Sequence, residues 1–368
     1  MWEAGMGVDT DERPYWLGFH LVPGIGATRL ARLVEAFGGL AAAWQAGYDA
    51  LRAAGLNDRA ARALITTRER IALDAEMERV RRSGATILTL ADDAYPPLLR
   101  EIPSPPPVIY VRGEIQRTDA LAVAVVGTRH AGTYGREMTR KLVAEIVPAG
   151  VTVVSGLARG IDAVAPETAL GSGGRTTPVL GGGIAVMYPP EHRQLADRIT
   201  ESGAVITEFP IGTRPDAANF PVRNRLISGL SRGVVVVEAP AKSGALITAN
   251  FAADQGRTVF AVPGSALSAN SVGPHRLLRD GAALATSGED ILAELQLTTH
   301  QTTFAARDVL PATDAERLVL RALDAEARHI DDIALEAGLA VSELSAVLLQ
   351  MQLKGIVRNV GAQHYVLA

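Results

Sequence analysis

The sequence predicts an α/β protein whose centre is an extended Rossmann-like, doubly wound sheet, flanked by a helical N-terminal domain and a C-terminal winged helix. Between about 108 and 297, β-branched runs such as 122–126 and 233–237 alternate with helical stretches. Continuous apolar strands separated by helices are typical of a parallel sheet covered on both faces. We therefore expect six strands or more in this sheet, within a central domain at 91–297.

The N-terminal domain is predicted at 13–90 and is helical, of the SAM or helix-hairpin-helix type. Apolar residues such as Leu30, Leu33 and Phe37 recur there at helical spacing, and nothing alternates like a strand. Residues 22–26, Val-Pro-Gly-Ile-Gly, resemble a helix-hairpin-helix turn whose amides could hold a DNA phosphate. A packing turn without a ligand is an equal alternative.

The rest of the chain outside the sheet divides into three segments. A proline-rich stretch at 94–107 is predicted as a semi-rigid connector without regular structure. Polar residues at 298–312 indicate a linker, and three helix patterns followed by two short strands at 313–368 outline a winged helix. This last segment carries five basic against eight acidic residues. Because phosphate binding needs the opposite sign, protein contact is the better hypothesis for it.

The composition excludes several classes of protein. The chain of 368 residues has no cysteine, so disulfides, thiolate zinc sites and cysteine nucleophiles are absent. A net charge of −4 gives no global attraction to nucleic acid, and an anionic partner must meet a local cluster of cations. No apolar segment approaches the roughly 20 residues that span a bilayer, and the first residues do not resemble a signal peptide. We expect a cytoplasmic protein without a membrane partner.

Glycines and cations follow the predicted strands at the points where these strands end. In open α/β sheets, ligands bind at the carboxyl ends of the strands, where glycine-rich loops and helix N-termini favour anions. The residues at this edge are Gly127, Thr128 and Arg129 after the first strand, Ser155, Gly156, Ala158, Arg159 and Gly160 after the second, and Lys242, Ser243 and Gly244 after a later one.

The first of these loops argues against a dinucleotide. A Rossmann fingerprint needs G-x-G-x-x-G after the first strand, but Arg129 stands where the second glycine should be. Its side chain would keep a pyrophosphate away from the backbone, so an arginine that grips a phosphate fits better than NAD. The alternative is that Gly127 and Gly132 only permit tight packing.

The segment 219–231 is the densest group of chemically active side chains. Phe220 precedes Arg223, Asn224 and Arg225 at the start of an apolar helix. Arginines that fork onto phosphate oxygens beside an aromatic ring are what a groove for single-stranded nucleic acid requires. The alternative is a solvated helix start with the ring in the core.

Catalysis has little support in the sequence. No G-x-S-x-G elbow surrounds Ser155 or Ser243, no Walker A motif occurs, and the histidines show no metal-ligand spacing. Asp162 and Glu238 could act as acid or base, although Asp162 fits a helix N-cap equally well. We expect no enzymatic activity, no cofactor and no metal ion.

The order of these motifs resembles the DNA-processing protein A family (DprA, also called Smf). The motifs are VAVVGTR, VSGLARGID, VLGGG with a later YP, ITEFP, FPVRNRLISGLS, SGALITA, AVPG and LLRDGA, between about 108 and 285. The resemblance implies a cytoplasmic homodimer that binds and protects incoming single-stranded DNA during natural transformation and loads the RecA recombinase onto it. It also implies that the matching motif residues contact DNA, with Arg129 on a phosphate.

The sequence departs from the family pattern at three places. Pro166 replaces a histidine, Ala185 replaces an aspartate, and a lysine that often precedes the F-P-x-R-N-R segment is missing from 216–219. The third departure suggests a thinner positive groove. Two other functions stay open: a nucleotide-processing enzyme like the phosphoribohydrolases, whose P-G-G-x-G-T-x-x-E motif is lacking, and an interaction platform that docks partners on the winged helix.

Overall fold

The computed structural model describes residues 12–297, 313–323, 328–353, 356–361 and 363–367. The predicted linker at 298–312 lies outside the described residues. The chain divides into two compact units, Met1–Gln296 and Leu297–Ala368.

The first unit contains fourteen α-helices, four short 3-10 helices and nine strands among its described residues. The helices are α1 (Arg13–His20), α2 (Ala27–Phe37), α3 (Leu40–Gln45), α4 (Tyr48–Ala53), α5 (Asp58–Arg70), α6 (Leu73–Arg82), α7 (Pro97–Arg100), α8 (Thr133–Ile146), α9 (Ile161–Gly171), α10 (Arg193–Ser202), α11 (Asn219–Gly229), α12 (Gly244–Asp254), α13 (Val272–Arg279) and α14 (Gly288–Glu294). The strands are β1 (Thr86–Thr89), β2 (Val108–Gly113), β3 (Ala122–Val126), β4 (Thr152–Ser155), β5 (Thr176–Pro178), β6 (Ala204–Thr207), β7 (Gly233–Val236), β8 (Thr258–Ala261) and β9 (Ala283–Leu284).

A six-stranded parallel sheet forms the centre of this unit and confirms the predicted fold class. Its order is β5-β4-β3-β7-β8-β9, and Val123 of β3 lies opposite Val153 on one side and Gly233 on the other. β3 is buried along its whole length, as expected for a strand covered on both faces. Because the chain moves outward from β3 in both directions, the loops after β3 and β7 diverge at a topological switch point, where ligands of such sheets bind.

One predicted strand belongs to a different sheet. The segment 204–207 was expected in the parallel sheet, but β6 pairs antiparallel with β2, which also pairs with β1. A single bridge between Val179 and Ile206 connects β6 to the end of β5. An apolar run predicts a strand without specifying its partner, and here the partner comes from the chain before the parallel sheet. β1 itself lies within the range that was predicted to be helical.

The proline-rich connector packs its apolar side chains into the core of the first unit. Tyr95, Leu99 and Ile102 are buried, and α7 begins at Pro97, a first-turn position where the missing N–H of proline costs nothing. The expectation of no regular structure at 94–107 was therefore wrong for this turn.

The helices α1 to α6 form a second layer around aromatic side chains. Phe19 meets Trp44 edge to face with ring centroids 5.1 Å apart, and Trp16 is also buried. This agrees with the predicted helical N-terminal region, whereas the domain boundaries at 90, 297 and 312 stay predictions.

The second unit has the outline of a winged helix. It contains α15 (Asp314–Ala322), α16 (Ile330–Ala337), α17 (Val341–Leu353), β10 (Arg328–His329), β11 (Val357–Gly361) and β12 (His364–Leu367). The strands form an antiparallel sheet in the order β10-β12-β11. Ile333, Leu344 and Leu348 lie in its core. Across both units, no helix in the described ranges combines the length and hydropathy needed to cross a membrane.

Candidate nucleic-acid interface

A carboxylate of the chain itself occupies the helix N-terminus at the switch point. Glu238 follows β7 and is 6% exposed. Its carboxylate accepts hydrogen bonds from the Gly132 amide at 2.9 Å and from Asn270 Nδ2 at 3.2 Å, and its backbone carbonyl accepts from the Thr128 amide at 2.7 Å. Gly132 precedes α8 directly. A dinucleotide phosphate would need this position, so the internal carboxylate excludes it.

Asp162 occupies a second group of amides between the loops after β3 and β4. Its Oδ1 accepts from the Gly127 amide at 3.2 Å. Burial raises the pKa of Asp162 to about 6, against the opposing effects of the Arg223 charge and of hydrogen bonds from the Gly127 and Gly156 amides. Both carboxylates that could have served as acid or base are thus bound to backbone N–H groups.

Two glycines allow these loops to approach each other. A Cβ on Gly156 would lie 2.3 Å from Asp162 Oδ2, and one on Gly160 would lie 2.2 Å from the Thr128 carbonyl oxygen. Gly160 also has a φ of 77°, which side chains rarely tolerate. The glycines therefore serve the fit of loop against loop.

The arginines of α11 point into the protein. Arg223 is 4% exposed, and its Nη1 donates to the Gly156 carbonyl at 2.7 Å and to the Val179 carbonyl. Burial lowers the pKa of Arg223 to about 10. Its guanidinium thus connects the loops after β4 and β5.

The two residues that follow are also engaged within the fold. Asn224 Nδ2 donates to the Gly244 carbonyl at 3.1 Å, which joins α11 to α12. Arg225 forms an ion pair with Glu208, and burial raises the pKa of that carboxyl. The sequence suggested either phosphate contacts or a solvated helix start. Instead, these polar groups hold neighbouring elements together.

The hydroxyl of Ser155 lies near a carbonyl that a proline inside a helix leaves without its usual donor. Pro166 lies within α9, and without an N–H it cannot donate to the carbonyl of Asp162 four residues earlier. The hydroxyl of Ser155, which is fully buried, faces that carbonyl at 3.2 Å and the Val125 carbonyl at 2.9 Å. The Asp162 carbonyl, which Pro166 leaves without a helical donor, therefore has a hydroxyl beside it within the fold.

The exposed Arg129 lies against the half-buried ring of Phe220. The Arg129 guanidinium carbon lies 4.9 Å from the centroid of the Phe220 ring, within the range of a cation–π contact. Tyr188, which is 42% exposed, approaches the same ring at 5.9 Å. A pocket of about 10 Å³, enough for one water molecule, lies beside these rings and is lined by Gly156, Ala158, Leu180, Gly181, Gly182, Val186, Tyr188, Pro215 and Phe220.

The other predicted residues differ in their availability. Arg159 is exposed and pairs with Glu191 at 2.6 Å. Lys242 is exposed, and Ser243 caps α12 by accepting from the Ala245 amide. Gly244 begins that helix with open space where a Cβ would be. Thr128 is buried. The site thus offers Arg129, Arg159 and Lys242 as cations that a polyanion can reach.

Tyr188 is a site residue that the sequence did not predict. The tyrosine belongs to the YP dipeptide, which contributed only to the family resemblance. Its contact with Phe220 becomes apparent only when the loop after β5 is placed beside α11. Among the described residues, no group of three or more His, Asp or Glu side chains could hold a metal ion.

Two protein-family models match this chain. Residues 86–296 match the model described as DNA recombination-mediator protein A, and residues 305–363 match the DprA winged helix domain. The chain belongs to the DprA family.

Relatives of the DprA family match over most of the chain. A protein named Smf from Synechocystis sp. is 36% identical over 96% of this chain and 98% of its own length. The DNA processing protein DprA from Bacillus subtilis is 41% identical over 58% of this chain and 73% of its own.

Two solved DprA structures share the fold. DprA from Streptococcus pneumoniae has a TM-score of 0.68 at 34% identity, covering 76% of this chain and 97% of that one. DNA processing protein A from Helicobacter pylori has a TM-score of 0.53 at 27% identity, covering 59% and 97%. The H. pylori structure gives insight into a single-stranded DNA binding mode of that protein.

Proposed function

We propose that this protein binds single-stranded DNA without sequence specificity along the carboxyl edge of its parallel sheet, with Arg129, Arg159 and Lys242 on phosphates. The single observation that carries the proposal is the exposed Arg129 guanidinium held against the Phe220 ring, with the exposed Tyr188 ring beside the same side chain. Cations suit a backbone, and an aromatic face accepts any base. The H. pylori relative supports the choice of single-stranded DNA.

The predicted site residues then fall into two groups by exposure. Arg129, Arg159 and Lys242 contact phosphates directly, and Phe220 with Tyr188 offers faces to a base. The remaining residues are buried, form the loops or begin α12, and they shape the groove; these are Gly127, Thr128, Ser155, Gly156, Ala158, Gly160, Arg223, Asn224, Arg225, Ser243 and Gly244. For Arg223 and Arg225, a structural role thereby replaces the phosphate contacts that the sequence suggested.

Membership in the family supports a broader role, which we propose as well. The protein acts in the cytoplasm during natural transformation, protects incoming DNA, loads RecA onto it, works as a homodimer and has no enzymatic activity. Loading is measured as the rate at which RecA nucleates on strands coated by a single-strand binding protein. Incubation with nucleoside monophosphates tests the alternative of a nucleotide-processing enzyme, because released base would contradict our proposal.

The dimer proposal is supported by an exposed leucine at the edge of the sheet. Leu284 lies on the terminal strand β9 and is 52% exposed. Light scattering should find a dimer for the wild type and a monomer for Leu284→Arg, which retains the fold. A wild type that is monomeric at micromolar concentration would contradict dimerisation.

Fluorescence anisotropy with labelled oligo-dT and a blunt duplex tests the DNA proposal. We expect tighter binding to oligo-dT and a logarithmic salt slope of about −0.7 for each phosphate contact. Arg129→Ala should weaken binding about 10-fold, or about 1.4 kcal/mol, and lower the slope by about one contact. Arg81→Ala, an exposed arginine on α6, is the matched control. Equal affinity for duplex, with no effect of Arg129→Ala, would refute the proposal.

A further inference from the structure

A large cavity lies away from the proposed DNA groove. Its volume is about 1300 Å³, and its wall includes Ala120, which lies just before β3, and Thr152, the first residue of β4. The DNA groove lies at the carboxyl ends of the same strands. The cavity is also bordered by α2 and by the proline-rich connector, so the three parts of the first unit meet there.

The floor of this cavity is apolar. Val154, Ile206 and Leu230 line it and are buried, and α2 contributes the small side chains of Ala27 and Ala31. Ligand pockets are usually mainly apolar, with a few polar groups that fix orientation. The floor is therefore suited to the hydrocarbon part of a ligand.

Two buried polar atoms of the wall have no hydrogen-bond partner. They are Thr177 Oγ1 and Arg100 Nε, and neither atom has a hydrogen-bond partner among the described residues. Thr177 is only 3% exposed, and an unpaired buried hydroxyl is costly. The Nε–H of arginine can only donate, and the threonine hydroxyl can donate as well. A ligand that satisfies both atoms must present an acceptor.

Two of the four carboxylates of the wall are already engaged. Asp119 is bound by Arg175 at 2.8 Å, and Glu101 is bound by Arg257 at 3.2 Å. These two acids consequently add little repulsion against an anionic ligand.

The remaining charges at the rim favour an anion slightly. Arg32 and Arg117 are exposed and form no ion pair with any residue the structure describes, and Arg100 adds a third positive charge. Glu35 and Asp93 are the acids left to oppose them. Three cations against two acids favour an acidic acceptor over a neutral one.

We propose that this cavity binds a small hydrophobic carboxylic acid. Its hydrocarbon part lies on Val154, Ile206 and Leu230, and its carboxylate accepts hydrogen bonds from Thr177 and Arg100. The site is independent of the DNA groove.

Titration calorimetry with decanoate, and with decan-1-ol as the neutral analogue, tests this site on the full chain. We expect saturable binding of one decanoate per chain, at least about 10-fold tighter than decan-1-ol, since a charge-assisted hydrogen bond is lost in the alcohol. Absence of saturable binding, or equal affinity for the two compounds, would overturn the proposal.

Two variants locate the bound molecule. Thr177→Val removes the unpartnered hydroxyl at nearly constant volume, so it should raise the melting temperature of the free protein and weaken decanoate binding several-fold. Ala31→Trp fills the cavity from α2 and should abolish binding of both compounds; if it does not fold, the Thr177→Val result decides. Both should bind oligo-dT like the wild type, whereas Arg129→Ala should bind decanoate normally. Decanoate affinity unchanged by Thr177→Val would refute the site.

Discussion

Replacing His20 by glutamine should change how the stability of the protein depends on pH. His20 ends α1, and its Nε2–H donates to the Glu208 carbonyl at 2.7 Å. Burial lowers the pKa of His20 from 6.5 to about 4. A lowered pKa means that the unfolded chain binds the proton first, so stability is complete above pH 6.5 and falls as the pH drops toward 4.

The size of the effect follows from the shift in pKa. A change of one unit corresponds to about 1.4 kcal/mol, so protonation of His20 should lower the free energy of unfolding by about 3 kcal/mol between pH 7 and pH 4. Asp162 acts in the opposite direction, because its pKa is raised from 3.8 to about 6. A raised pKa gives stability that is complete below pH 3.8 and lost as the pH rises through 6. In the wild type, these two effects largely cancel.

Urea unfolding at several pH values between 4 and 7 measures the difference. His20→Gln keeps a donor for the Glu208 carbonyl but does not titrate. The free energy of unfolding of the variant minus that of the wild type should therefore rise by about 3 kcal/mol as the pH falls from 7 to 4. Contributions of other carboxyls, such as Glu208, cancel in the subtraction. A difference that stays constant over this range would refute the assignment of a buried neutral histidine.

Three further outcomes follow from the contacts of the site. Ser155→Ala should lower the free energy of unfolding by about 2 kcal/mol. In a Pro166→Ala background the loss should be about 1 kcal/mol smaller, because alanine returns an N–H donor to the Asp162 carbonyl. Equal losses in both backgrounds would contradict this coupling. Affinity for oligo-dT should rise a few-fold as the pH falls below about 6, where Asp162 becomes protonated, and Asp162→Asn should flatten that dependence in anisotropy titrations. Gly135→Ala would place a Cβ 2.5 Å from Glu238 Cδ, and we expect a loss of about 1 to 3 kcal/mol, seen as a lower urea midpoint; an unchanged midpoint would show that Glu238 is free to move.

The sequence predicted the architecture because hydrophobic periodicity and the length of each apolar segment specify helices and strands well. The buried run at 122–126, the loop that follows it and the three helices of the winged helix all appear in the structure at their expected places. The partner of a strand is a matter of tertiary contact, and for this reason the prediction for 204–207 named the wrong sheet.

The direction in which a polar side chain points was harder to predict. Arg223 and Arg129 are the same residue type beside the same aromatic ring, yet Arg223 is buried against carbonyls and Arg129 is exposed. Only the positions of the loops after β4 and β5 decide between these outcomes. The role of Glu238 likewise depends on amides more than 100 residues earlier in the chain.

The carboxylate of Glu238 at the start of α8 has a consequence for competition inside a cell. Free nucleotides and dinucleotide coenzymes are abundant, and many folds of this class hold them at that helix end. Here the place is taken by a group covalently tied to the chain, which no dilution or dialysis removes. A nucleotide phosphate is thereby kept from this helix end, whereas the exposed cations of the proposed DNA groove lie outside the blocked position.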